Sequence, residues 1–72
     1  MTRATFLESM QDVLQTDAVL TVDTVLSDLD EWDSLSMMAT MAFVDKNFGI
    51  KLGIRDFKAM NTIGDIVAKV GV

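Results

Sequence analysis

The sequence predicts an all-α fold: a small four-helix bundle, three main helices plus one short helix, with a long loop between helices 1 and 2. Three observations lead there. Apolar residues recur at helical spacing in separate stretches, glycines stand just past two of those stretches at Gly49 and Gly71, and no convincing strand alternation or hairpin turn competes.

The first helix is read over Thr5–Gln15, where Phe6, Leu7, Met10, Val13 and Leu14 share one side and Glu8, Gln11, Asp12 and Gln15 the other. Thr5 and Glu8 stand at capping-box spacing, and Thr2 offers an equally good start. From Thr16 to about Asp33 no helical period is sustained, so this stretch reads as a long loop, with Val22, Val25, Leu26 and Leu29 as the anchors that tie it across the core. The second helix is expected from Ser34 to Asn47 or Phe48, stopping at Gly49, whose missing Cβ suits a left-handed cap. Met37, Met41, Val44 and Phe48 form a stripe suited to core packing. Leu35, Met38, Ala39 and Ala42 form a shorter one assigned to a partner, and Ser36, Thr40 and Asn47 share the polar face. After a turn around Gly53, Ile54–Met60 makes one short helix with Phe57 inward. Asn61 or Thr62 then caps a last helix carrying Ile63, Ile66, Val67 and Val70.

Composition narrows the function. The chain has 72 residues, 50% hydrophobic and 24% charged, which suits one globular domain, 1–72, near the lower size limit for an unaided core. Apolar runs are interrupted too often for a membrane span, and charge arrives before any signal-peptide length accumulates, so a soluble cytoplasmic monomer is expected. A net charge of −5 disfavours nucleic acid and anionic membranes and favours basic protein surfaces as partners. The sequence has no His, Cys or Tyr, which removes the side chains most used for proton transfer near neutral pH and the commonest activated nucleophiles. A domain this small also has little volume for a substrate-enclosing cleft. The expectation is a handle for other enzymes rather than an active site.

The most informative segment is Leu29-Asp30-Glu31-Trp32-Asp33-Ser34-Leu35-Ser36, joining the acidic loop to the second helix. Its carboxylates do not match a calcium loop: with Asp28 as first ligand, Trp32 falls at the fifth position, Asp33 at the required glycine and Ala39 at the final glutamate. No metal site is expected. Trp32, the one tryptophan, is expected to pack on its own domain, and Met10, Met37, Met38, Met41 and Met60 are read as adaptable core filling.

Asp33-Ser34-Leu35 resembles the Asp-Ser-Leu attachment motif of acyl carrier proteins. The likeness extends over nearly the whole chain through the first amphipathic helix, the long loop, a leucine shortly before the serine, and a capped final helix. The resemblance implies that a phosphopantetheinyl transferase attaches 4′-phosphopantetheine, taken from coenzyme A, to Ser34, beside the motif neighbour Asp33. It implies an arm that supplies the thiol this sequence lacks and holds acyl groups as thioesters, helices able to shelter a fatty acyl chain between them, and as partners an acyl- or aminoacyl-loading ligase and acyl-transferring or condensing enzymes. A helix start suits the phosphodiester such an arm brings. Asp30 and Glu31 are candidates for contact with basic enzyme surfaces, beside their default as a solvated acidic loop, and Leu35, Met38 and Ala42 for apolar contact with a partner. In fatty-acid-synthesis carriers the second helix is usually acidic just after the serine and along its exposed side. Here those places hold Ser36 and Ala39, with Lys46 and Asn47 further along and Asp45 the only acid, which points towards a specialised pathway. Aminoacyl or peptidyl cargo is the alternative within the class; outside it stands an unprimed helical interaction module in which Ser34 only caps.

Overall fold

The computed structural model describes residues 1–72, with helices α1 (Arg3–Leu14), α2 (Ser34–Phe48), α3 (Ile54–Lys58) and α4 (Ile63–Val70), and a single 3-10 turn at Leu26–Asp28 between α1 and α2. The all-helical class and element order match the expectation; the differences lie at helix ends and in which faces are buried. α1 starts at Thr2, whose hydroxyl accepts the Thr5 amide at 3.1 Å, so Thr5 is already inside the helix and the Thr5–Glu8 capping box does not form. At its other end Gln15 adopts a left-handed backbone, φ 53°, and its amide reaches the Asp12 carbonyl at 3.2 Å.

α1 packs along α2, and α3 against α2. Phe6, Met10 and Leu14 of α1, Val44 of α2, Phe57 of α3, and Ile63, Ile66, Val67 and Val70 of α4 form the buried core with Leu20, Leu26 and Met60. Phe6 stands within 6 Å of both Phe43 and Phe48, at centroid distances of 5.7 and 5.9 Å. The inward line of α2 differs from the predicted stripe. Ser36, Thr40 and Val44, four residues apart, are its buried residues, while Met37, Met41 and Phe48 are half-buried flanks. Two hydroxyls tolerate that position because the helix itself satisfies them: Thr40 donates to the Ser36 carbonyl at 2.8 Å, and Ser36 closes a cap at Asp33. Of the methionines, Met10 and Met60 are buried and Met38 is 55% exposed, so core filling does not describe Met38.

The long loop is held differently from the expectation. From Leu20 to Leu26 burial alternates, with Leu20, Val22, Thr24 and Leu26 inward and Thr21, Asp23 and Val25 outward, the period of extended chain. Val25 is therefore not a side-chain anchor; its backbone forms an isolated antiparallel bridge to Thr62. Around it the Leu26 amide donates to the Asn61 carbonyl at 2.9 Å, and the Ile63 and Gly64 amides donate to the Thr24 and Val22 carbonyls at 3.0 and 2.9 Å. The last two bonds satisfy first-turn amides of α4 that the helix leaves free. Thr62 caps α4, and the Asp65 carboxylate accepts the Asn61 and Thr62 amides at 2.7 and 3.0 Å. Those donors, Asn61 first, hold its carboxyl below the usual aspartate value. α3 ends at Lys58, short of Met60, which is buried just beyond it.

Gly64 makes the close approach of loop and helix possible. A Cβ there would lie 2.7 Å from the Val22 carbonyl oxygen and 3.3 Å from the Val22 Cβ. In an open helix Gly→Ala stabilises by about 1 kcal/mol. Here the obstacle is backbone, and Gly64→Ala is expected to destabilise by about 1–3 kcal/mol, the usual cost of overpacking, read as a lower denaturant midpoint. A raised midpoint would show that the loop yields easily.

Candidate functional site

The start of α2 is built by a reciprocal cap. The Asp33 Oδ1 accepts the Ser36 amide at 2.9 Å, the Ser36 hydroxyl accepts the Asp33 amide at 2.8 Å, and that hydroxyl donates to the Asp33 carbonyl at 3.0 Å. This is the capping-box arrangement with serine at the third helical position. Ser36 is accordingly buried and structural, not part of an exposed polar face. The Asp-x-x-Ser spacing was the signal for it in the sequence.

Ser34 lies inside this cap as the first residue of α2. It is exposed, and its hydroxyl makes no hydrogen bond within the protein. The capping role belongs to Asp33, which leaves the Ser34 oxygen free. The Ser34 and Leu35 amides likewise have no protein acceptor, so two N–H groups stand open beside that oxygen. This donor set fits a phosphodiester carried on Ser34, which the helix start would further stabilise.

The surroundings are acidic on one side and apolar on another. Arg3 is the only Lys or Arg before Ser34, and eight of the chain's 11 Asp and Glu lie there. Asp28, Asp30 and Asp33 are exposed and Glu31 is half-buried; none has a cationic partner, since the one ion pair joins Lys51 to Asp45 at 3.1 Å. The carboxylates are not gathered into a group able to hold a metal ion. Leu35 is 76% exposed, and with Met38, Ala39 and Ala42 it makes an apolar outer face on α2. Trp32 packs edge-on to Phe57 at 5.8 Å, an aromatic partner 25 positions away in sequence.

A groove of about 340 Å³ opens beside the serine, lined by Val13, Leu14 and Gln15 from the end of α1, Glu31 and Asp33 from the loop, and Leu35, Ser36 and Ala39 from α2. A larger one, about 540 Å³, lies between α3 and α4 and shares none of these residues. Its carboxylates, Asp56 and Asp65, are committed to backbone amides at helix starts.

An unengaged serine hydroxyl on the capped start of a helix, in a small helical bundle, is the arrangement that the resemblance to carrier domains implies. Comparison with known proteins agrees. The family described as "Phosphopantetheine attachment site" matches residues 4–70. The acyl carrier protein of Kineococcus radiotolerans is 39% identical over 57 residues, 79% of this chain and 69% of that protein. The holo acyl carrier protein of Geobacter metallireducens, solved by solution NMR, superposes with a TM-score of 0.76 at 26% identity, covering 94% of this chain and 79% of that one. A candidate acyl carrier protein from Mycobacterium tuberculosis gives a TM-score of 0.77 at 28% identity, covering 94% and 92%. The chain belongs to the acyl carrier protein family, and its cofactor is covalently attached 4′-phosphopantetheine.

Proposed function

We propose that Ser34 is the residue that bears the phosphopantetheine, and that the protein carries acyl groups as thioesters between partner enzymes of a specialised pathway. The free, exposed Ser34 hydroxyl on a helix capped by its neighbour Asp33 carries this reading. The bound arm supplies the thiol; the chain, with no cysteine of its own, positions the attachment oxygen and is recognised. No catalytic role is assigned to its side chains. The partners are a phosphopantetheinyl transferase, a loading ligase, and acyl-transferring or condensing enzymes.

Two observations support a dedicated set of partners. The exposed face of α2 is apolar at Leu35, Met38, Ala39 and Ala42, and its single acid, Asp45, is engaged by Lys51. Charge-guided approach then falls to Asp30 and Glu31 on the loop, where basic enzyme surfaces meet unpaired carboxylates, while Leu35, Met38 and Ala42 supply the apolar contact. No helix is long and apolar enough to cross a membrane, and we assign the carrier to the cytoplasm.

Incubation with coenzyme A and a broad-specificity phosphopantetheinyl transferase, followed by intact mass measurement, tests the attachment. One phosphopantetheine per chain is expected, on the peptide containing Ser34. An unchanged mass, or an arm mapped to another residue, would overturn the reading.

A further inference from the structure

We propose that the groove between the end of α1 and the start of α2 is a resting site for the protein's own phosphopantetheine arm; this rests on the assignment of Ser34. Position argues for it first. Asp33 and Leu35, the two chain neighbours of Ser34, both line the groove while Ser34 itself does not, so an arm leaving the Ser34 oxygen starts one residue from this surface and folds back to reach it. At about 340 Å³ the groove is at the small end of small-molecule sites, roughly 300–1,000 Å³.

The chemistry of the lining suits the neutral part of the arm, which has a gem-dimethyl group, a hydroxyl and two secondary amides. Val13, Leu14 and Ala39 offer apolar contact, and Leu35, 76% exposed, has surface to lose. Glu31 and Gln15 offer an acceptor and a donor–acceptor pair, and neither side chain is engaged by another protein group. Asp33 is not free for this, because its carboxylate holds the Ser36 amide. No cation lines the groove, so the phosphate stays at the open Ser34 and Leu35 amides while the uncharged remainder lies along the groove.

Gln15 provides an independent observation. It is the only non-glycine residue with a positive φ, 53°, at a helix end where glycine fits without steric cost. Gln15 is also one of the residues that line the groove, and its amide side chain brings a donor and an acceptor that glycine would not supply.

The test uses holo protein, verified by mass, carrying an arm labelled with ¹³C at its methyl groups. Nuclear Overhauser contacts are expected from those methyls to Val13, Leu14 and Ala39. Ala39→Phe, at an exposed position, fills the groove; in its holo form these contacts should vanish. The arm's thiol, the only thiol in the molecule, should then react faster with a soluble disulfide reagent, roughly twofold for an arm docked half of the time. Holo protein whose arm touches nothing, or touches only Trp32 and Phe57, would overturn the inference while leaving Ser34 as the attachment point. So would an Ala39→Phe variant with unaltered contacts and thiol rate. Protein that fails to take up the arm at all would overturn both readings together.

Discussion

Ser34→Ala is expected to abolish phosphopantetheine uptake while leaving the melting temperature almost unchanged, and Ser36→Ala is expected to do the reverse. The two hydroxyls are two residues apart but differ in what they touch. Ser34 is exposed and its hydroxyl bonds to nothing in the chain, so its removal takes away the attachment oxygen and no fold contact; exposed substitutions of this kind stay within about 0.5 kcal/mol. Ser36 is buried, with its hydroxyl bonded to both the amide and the carbonyl of Asp33. Losing it breaks one arm of the cap, at about 0.5–2 kcal/mol. In a domain of this size each kcal/mol shifts the melting temperature by roughly 4–8 °C, so thermal circular dichroism resolves the difference. Intact mass after transferase treatment gives the other reading. Uptake by Ser34→Ala, or a stable Ser36→Ala that cannot be primed, would exchange the roles of the two serines.

Why the sequence separated these serines incompletely is physical. The motif drew attention to Ser34 through its neighbours. Ser36 reads as part of a polar face because a hydroxyl three residues past an aspartate looks solvent-facing until the reciprocal cap is seen. Thr40 misleads for the same reason: helical periodicity counts side chains by polarity, and a threonine that satisfies its hydroxyl on the Ser36 carbonyl behaves as an apolar residue of equal size. The loop was obscured in a similar way. Leu20, Val22, Thr24 and Leu26 alternate inward, but Thr24 interrupts the apolar pattern at one inward position, and a valine stands at an outward one. The groove beside Ser34 had no local signal, because it joins residues 13–15 to residues 31–39 through tertiary packing. The helix order, the Gly49 and Gly71 caps and the inward Phe57 were legible because each depends on spacing within a few residues.

Phe57→Ala should have the largest effect on stability, and the one tryptophan should report it. Phe57 is 1% exposed and belongs to α3, a helix of five residues. A helix that short does not persist on its own propensity, so its place depends on what it buries. Truncating a buried phenylalanine costs about 3–5 kcal/mol, a large share of the roughly 4–11 kcal/mol expected for a domain of this length. Even the lower figure corresponds to a fall in melting temperature of roughly 12–24 °C. The same ring is the edge-on partner of Trp32, so its loss should let water reach the indole and move its emission to longer wavelength in the folded protein at low temperature. The cap at Asp33 and Ser36 contains no atom of Phe57, so transfer of the arm to Ser34 should survive wherever the variant remains folded. A Phe57→Ala protein with unchanged melting and unchanged emission would mean that α3 is not held by this ring. If arm uptake is lost while the fold persists, the Trp32–Phe57 contact would be part of what the transferase recognises.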